Sequence, residues 1–349
     1  MSTAPKHLRQ ELAELLAGDH WHSLRRSHLP EEKWWEMAYS DETWVTQVGG
    51  VPAEAAGTIT VGAPTSSSTM PGMVVAMLER AGIRDGEKVL EIGTGTGYST
   101  ALLCERLGDG QVTSVEYDRQ AAVRARLALE DSGYAPTLVV GDGLAGYDRN
   151  AEYDRLIATC SVRYIPLAWM EQVRDGGTIT APLSGWMPGD AMARLTLADD
   201  GTACGRFLPD DFAFMPARPH ARPPRSSYMI GLGAERESRI DPNVLDDHTG
   251  RFVAQLGAPS AEKLGFGDEI ILLDVATGSQ ATTRRDPKGP GWLARQHGPL
   301  RLWHAVEDAV LTWQYAGSPR QSGFGLTVTR EGQRVWLGDP DGPSWNLPA

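Results

Sequence analysis

Between residues 86 and 215, short apolar runs alternate with amphipathic stretches, and this alternation sets the first expectation for the fold. The runs KVLEIG (88–93), QVTSVE (111–116), TLVVGD (137–142), YDRLIATC (153–160) and GGTITAPL (176–183) have the length and β-branched content of buried strands. Helical spacing predicts helices over about 98–107, over about 119–131 and near 166–173. Strands separated by helices build a parallel sheet with crossover connections, so the core is expected to be α/β and doubly wound. AMARLTLA (191–198) and RFLPDDFAFM (206–215) follow one another without a helix and predict closing antiparallel strands.

The flanks have other patterns. Residues 1–85 are expected to form a helical N-terminal extension, beginning with a capped polar helix in MSTAPKHLRQELAELL. Trp34, Trp35 and Trp44 are expected to pack its helices over the sheet. The core is placed at 86–230. Within it, PARPHARPPR (216–225) sets Arg218, Arg222 and Arg225 among prolines and predicts a solvated, extended linker, with contact to an acidic peptide as the alternative. Residues 240–349 are expected to be a separate α+β accessory domain. Helices are predicted in 252–264 and 299–317, and a hairpin in 324–339 turning at Glu331 and Gly332.

Composition narrows the classes. With 41% apolar and 22% charged residues, the 349-residue chain fits a soluble globular protein rather than a disordered or fibrous one. No apolar run approaches the roughly 18 residues of a membrane span, and the N-terminus lacks the apolar stretch of a secretion signal. Three cysteines without CxxC spacing fit a reducing cytoplasm. His20, His22 and His28 have no clustered Cys or Asp beside them, so no metal site is expected. A net charge of −12 counts against nucleic acid as a partner.

The chemistry concentrates at the ends of the first three predicted strands. Gly93-Thr94-Gly95-Thr96-Gly97 turns sharply out of the first strand into a helix N-terminus, which is suited to an anion. Glu116, 23 positions beyond Gly93 and followed by Tyr117, ends the second strand, where a carboxylate accepts from ribose hydroxyls. Gly141-Asp142-Gly143 ends the third. There Asp142 is expected to accept from an adenine amino group and Gly143 to spare the ring a clash. A dinucleotide wants G-x-G-x-x-G, and here the third glycine comes one place early. The pattern favours S-adenosylmethionine (SAM), with Glu91 as a further polar group facing its amino-acid end.

With these residues in place, the segment from about Val61 to Pro216 resembles the protein-L-isoaspartate O-methyltransferases. The resemblance rests on VLEIGTGTGYSTALL, VTSVEYD, VVGDGLAGY, YDRLIATCSVRYIP, QVRDGGTITAPL and the segment around Phe207 to Pro216. It implies a class I SAM-dependent methyltransferase fold and esterification of an isoaspartyl carboxylate in a peptide. In STMPGMVVAMLE (68–79) the active-site serine of the family falls on Thr69, so the hydroxyl is kept but the residue differs. The long N-terminus and C-terminal addition resemble the branch found in pathways for ribosomally made, modified peptides of ATP-grasp or lanthipeptide type. That branch implies methylation of an ordinary aspartate in a cyclised precursor peptide, followed by aspartimide and isoaspartate.

The alternatives from other directions are a repair enzyme for damaged proteins and a SAM-binding module without catalysis. An aspartate carboxylate is already ionised at pH 7, so no general base is needed. Thr69 is the candidate for steering it. Ser66, Ser67, Ser68 and Thr69 have a second possible role as caps for the helix that starts near Pro71. Ser68, Thr159, Cys160, Ser161 and Arg163 are candidates for the acceptor side. Cys160 has a small buried residue as its plainer role, and Arg163 a solvated surface charge.

Overall fold

A computed structural model describes residues 20–22, 29–57, 59–224, 233–264 and 269–348. The helix expected over the first sixteen residues, and His28, lie outside these. The described part of the N-terminal region is less helical than its composition suggests. β1 (His20–His22) pairs antiparallel with β4 (Ile59–Val61). β2 (Trp44–Val48), β3 (Val51–Pro52) and β5 (Pro64–Ser68) form a second small sheet in the order β3-β2-β5. Only α1 (Glu31–Ala38) and α2 (Pro71–Ala81) are helical among the described residues before 85.

Two features of the sequence explain this. Gly49 and Gly50 join β2 to β3 with φ of +55° and +80°, the double left-handed turn that closes a tight hairpin. The Thr-Ser run of β5 has side chains that compete with helical hydrogen bonds. The tryptophans also differ from expectation. α1 buries no residue, and Trp35 is 44% exposed and stacks on Tyr39.

The centre of the molecule is a ten-stranded sheet. In chain order its first members are β6 (Val89–Ile92), β7 (Val112–Glu116), β8 (Thr137–Val140), β9 (Tyr153–Ala158) and β10 (Val173–Leu183). These five run parallel in the order β10-β9-β6-β7-β8. α3 (Tyr98–Leu107) and α4 (Arg119–Asp131) supply crossovers at the expected positions, and Asp118 caps α4 by accepting from the Gln120 and Ala121 N–H groups. α5 is shorter than expected, a single turn over Leu167–Met170. The chain leaves β6 towards β7 on one side, while β9 lies on the other. Their carboxyl ends therefore flank a crevice at the point where strand order reverses.

Beyond β10 the sheet turns antiparallel through β11 (Ala191–Leu197) and β12 (Ala203–Phe207). The strand expected over 206–215 stops at Phe207, short of Pro209, which has no N–H for a ladder.

Past residue 233 come β13 (Glu235–Glu237), α6 (His248–Gly257), β14 (Ala261–Leu264), β15 (Ile270–Asp274), β16 (Gln280–Arg285) and β17 (Trp292–His297). α7 (Leu302–Tyr315), β18 (Phe324–Val328), β19 (Gln333–Leu337) and β20 (Ser344–Asn346) follow. The helix expected over 252–264 ends at Gly257, since Pro259 cannot continue it, and its second half becomes β14. β13 to β17 make a five-stranded antiparallel sheet under α7.

The expected hairpin exists as β18–β19, but it does not belong to a separate unit. β18 pairs with β12, so β18, β19 and β20 extend the central sheet. Phe252 of α6 sits edge-on between Phe207 of β12 and Phe324 of β18, with centroid distances of 5.1 and 5.4 Å. One apolar core therefore runs from β6 to β20, and the expected division near 240 does not hold for the last strands.

Candidate active site

The glycine turn is shaped by its neighbours. Gly93 has φ +102°, and a Cβ there would stand 2.5 Å from Thr159 Oγ1. That hydroxyl donates to the Gly93 and Ile92 carbonyls at 2.5 and 3.1 Å, tying the end of β9 to the end of β6. Gly97 then opens α3 as its left-handed N-terminal cap residue.

The acidic residues complete one wall. Glu116 Oε2 accepts the Gly95 N–H and Oε1 the Asp118 N–H, both at 2.9 Å. Each oxygen keeps a lone pair for another donor. Asp142 Oδ1 accepts the Leu144 N–H at 2.9 Å. Gly143 has a packing reason to be glycine: a Cβ would collide with Ile92 Cγ2, so its smallness serves packing on β6. Trp169 fixes it from below, donating to its carbonyl at 2.8 Å.

These groups line a cavity of about 320 Å³, within the range of small-molecule sites. Gly93 to Thr96, Glu116, Tyr117, Asp142, Gly143, Thr159 and Cys160 all border it, as does Thr69. The capping role open to the 66–69 hydroxyls is filled from elsewhere: Asp41 Oδ1 accepts the Gly72 N–H at 2.7 Å, and Thr43 Oγ1 the Met70 N–H at 3.1 Å. Burial pushes the Cys160 thiol up to about 12, so it stays protonated at neutral pH and is not a thiolate nucleophile.

Five expected residues are not in the cavity wall, and Gly97, the cap residue of α3, is the first. Glu91 is fully buried beneath the turn, accepting from Ser99, from Thr100 at 2.5 Å and from Ser114 at 2.7 Å. Burial raises its pKa against the pull of those hydroxyls. It buttresses the turn and does not face a ligand. Ser68 stands opposite Trp44 in the β2–β5 ladder. Ser161 is 1% exposed and donates to the Phe214 carbonyl at 2.7 Å. Arg163 lies over the Trp186 ring at 3.8 Å and donates to the Pro259 carbonyl at 3.1 Å, joining β9's loop to the C-terminal region. The acceptor role expected of it has no geometric basis.

Sequence reasoning missed the other wall. Residues 213–219 border the cavity, so the first part of the expected linker is a structured strap. It is held by Ser161, whose N–H donates to Met215 O and whose carbonyl accepts from Ala217 N, both at 2.8 Å. Arg218 reaches from this strap to Gln47 Oε1 at 2.8 Å and Thr65 O at 2.5 Å. The signal available in the sequence is the family-like segment ending at Pro216, two residues short of Arg218.

The fold is that of a class I SAM-dependent methyltransferase, with a mixed central sheet and a crevice at the carboxyl ends of its parallel strands. A solved protein-L-isoaspartate O-methyltransferase superposes with a TM-score of 0.52 at 19% identity, over 89% of this chain and 92% of that one, a likeness of fold. The family profile for Protein-L-isoaspartate(D-aspartate) O-methyltransferase (PCMT) matches residues 22–206, a little over half of the chain. The protein-L-isoaspartate O-methyltransferase of Ignicoccus hospitalis is 36% identical over 42% of this chain and 69% of its own length. One from Archaeoglobus fulgidus is 41% identical over 32% of this chain, which spans only 52% of that relative. The chain belongs to this family of SAM-dependent methyltransferases.

Proposed function

We propose that the chain methylates a side-chain carboxylate of a bound peptide, using SAM held in the cavity at the ends of β6, β7 and β8. One observation carries this reading: Thr69, Glu116 and Asp142 line a single cavity, so a hydroxyl shares one space with the two strand-end carboxylates. Glu116 takes the ribose hydroxyls, Asp142 the adenine amino group, and the Gly93–Gly97 turn lets the ligand approach bare backbone. When bound, SAM supplies a methyl group activated by its sulfonium.

The protein's share of the chemistry is orientation. The acceptor carboxylate is ionised near neutral pH, with a reference pKa of about 3.9, so no side chain need take a proton. Thr69 donates to that carboxylate and aims one oxygen at the methyl. The strap at 213–219 excludes water. Alignment of the reacting atoms at about 3–3.5 Å is the main source of rate.

Within this reading, the preferred acceptor is an ordinary aspartate in a cyclised ribosomal precursor peptide, whose ester closes to aspartimide and then opens to isoaspartate. Support comes from the Thr69 departure and the long flanks. The second reading, repair of isoaspartyl residues in damaged proteins, is favoured by the solved relative whose fold matches 89% of this chain, C-terminal region included. Incubation with SAM, a cyclised precursor and a linear isoaspartyl peptide separates them. Ester formation on the cyclised precursor followed by loss of methanol supports the first. Turnover of the linear peptide alone overturns it.

A further inference from the structure

Among the described residues that line the cavity, Arg218 is the one cation, and Glu116 and Asp142 border the same cavity. Its Nη2 donates to two neutral acceptors, Gln47 Oε1 and Thr65 O. Gln47 in turn accepts from Thr65 Oγ1 at 2.8 Å and donates to Asp118 Oδ2 at 2.9 Å. The acid nearest to Arg218 in this chain of bonds is therefore reached only through Gln47, and no described carboxylate forms an ion pair with it. A half-buried guanidinium held through Nη2 keeps its Nε and Nη1 N–H groups as charged donors for the oxygens of a carboxylate. Glu116 and Asp142, in the lining of the same cavity, repel such a group, so an anion is favoured beside Arg218.

We propose that Arg218 is the anion-recognising residue of this cavity and pairs a carboxylate of the bound ligand. The inference rests on the methyltransferase reading above, which brings two such groups to the site: the carboxylate at the methionyl end of the cofactor and a carboxylate of the acceptor peptide. The same guanidinium serves either, and experiment distinguishes them.

The test compares wild type with Arg218→Gln by titration calorimetry and steady-state kinetics. The probes are S-adenosylhomocysteine, methylthioadenosine (the same nucleoside without the carboxylate), and an acidic peptide that the wild type methylates. If the cofactor's carboxylate is the partner, the variant loses roughly tenfold or more in affinity for S-adenosylhomocysteine and keeps its affinity for methylthioadenosine. If the peptide's carboxylate is the partner, both nucleosides bind as before and the KM for the peptide rises by a similar factor. Equal losses for both nucleosides mean that Arg218 only braces the strap, and the proposal falls. It also falls if all three constants are unchanged. A wild type that binds neither nucleoside would sink the methyltransferase reading itself, a result separate from any behaviour of the variant.

Discussion

The Glu116 carboxylate accepts the Gly95 N–H at 2.9 Å, so the end of the second parallel strand is bonded directly to the turn that leaves the first. One oxygen thereby fixes the glycine turn, and the other is fixed by the Asp118 N–H. The carboxylate is oriented before any ligand arrives. Asp142 is set in the same way by Leu144. Replacement of either acid by alanine should weaken binding of SAM by about 1–3 kcal/mol, because a ribose or adenine donor is left without its acceptor. Titration calorimetry of Glu116→Ala and Asp142→Ala checks this, and unchanged affinity in both would remove these residues from the site.

Thr69 should separate rate from binding. It borders the same cavity as Glu116 and Asp142, and the start of α2 is held by Asp41 and Thr43 instead. Thr69→Ala should lower kcat by about tenfold with SAM affinity nearly intact, as expected for a group that orients the acceptor. Thr69→Ser should retain most of the rate. A parallel fall in SAM affinity and thermal midpoint for the alanine variant would assign the residue to packing.

His220 gives the strap a pH response. Burial, helped by the Arg163 charge, holds its imidazole down at about 4, and Nδ1 accepts the Arg163 N–H at 3.0 Å. The unfolded imidazole titrates near 6.5. Between these values the unfolded chain binds a proton that the folded chain does not, so stability is lost as pH falls from about 6.5 to about 4. The loss from this residue is about 3 kcal/mol. Urea unfolding of wild type and His220→Asn across that range should show a flatter pH dependence in the variant. Identical slopes would refute the assignment.

The C-terminal region should not be removable. A chain ended at residue 323 lacks β18 to β20, exposes the edge of β12 and leaves Phe207 and Phe252 without Phe324 between them and solvent. It should aggregate or unfold, seen as loss of the cooperative transition in calorimetry. A soluble, cooperatively folding fragment that still bound S-adenosylhomocysteine would restore the idea of two separable domains.

The parallel core was legible because strand-length apolar runs, helical spacing and turn glycines are local signals, and all of them coincide between Val89 and Leu183. That Gly93, Glu116 and Asp142 come together was legible for the same reason, since each ends a recognisable strand. The attachment of β18 to β12 was not, because alternation in Phe324–Leu337 announces a hairpin without saying which edge receives it. Arg218 was hidden by its setting. Prolines on both sides suggest an extended linker, and only the bonds from Ser161 to Met215 and Ala217 turn that extended segment into a cavity wall. Glu91 and Arg163 show the opposite error. Each stands next to the site in sequence, yet packing turns one beneath the glycine turn and the other towards Trp186.

The most direct measurement follows a labelled methyl group. The chain is incubated with SAM carrying the label on its methyl and with an acidic peptide, and the product is treated with mild base. The account predicts one methyl added at an aspartyl or isoaspartyl side chain and released by base as labelled methanol, with both steps abolished when Glu116 and Asp142 are replaced together. Label that stays on the peptide through base treatment, bound to nitrogen or carbon, would contradict it.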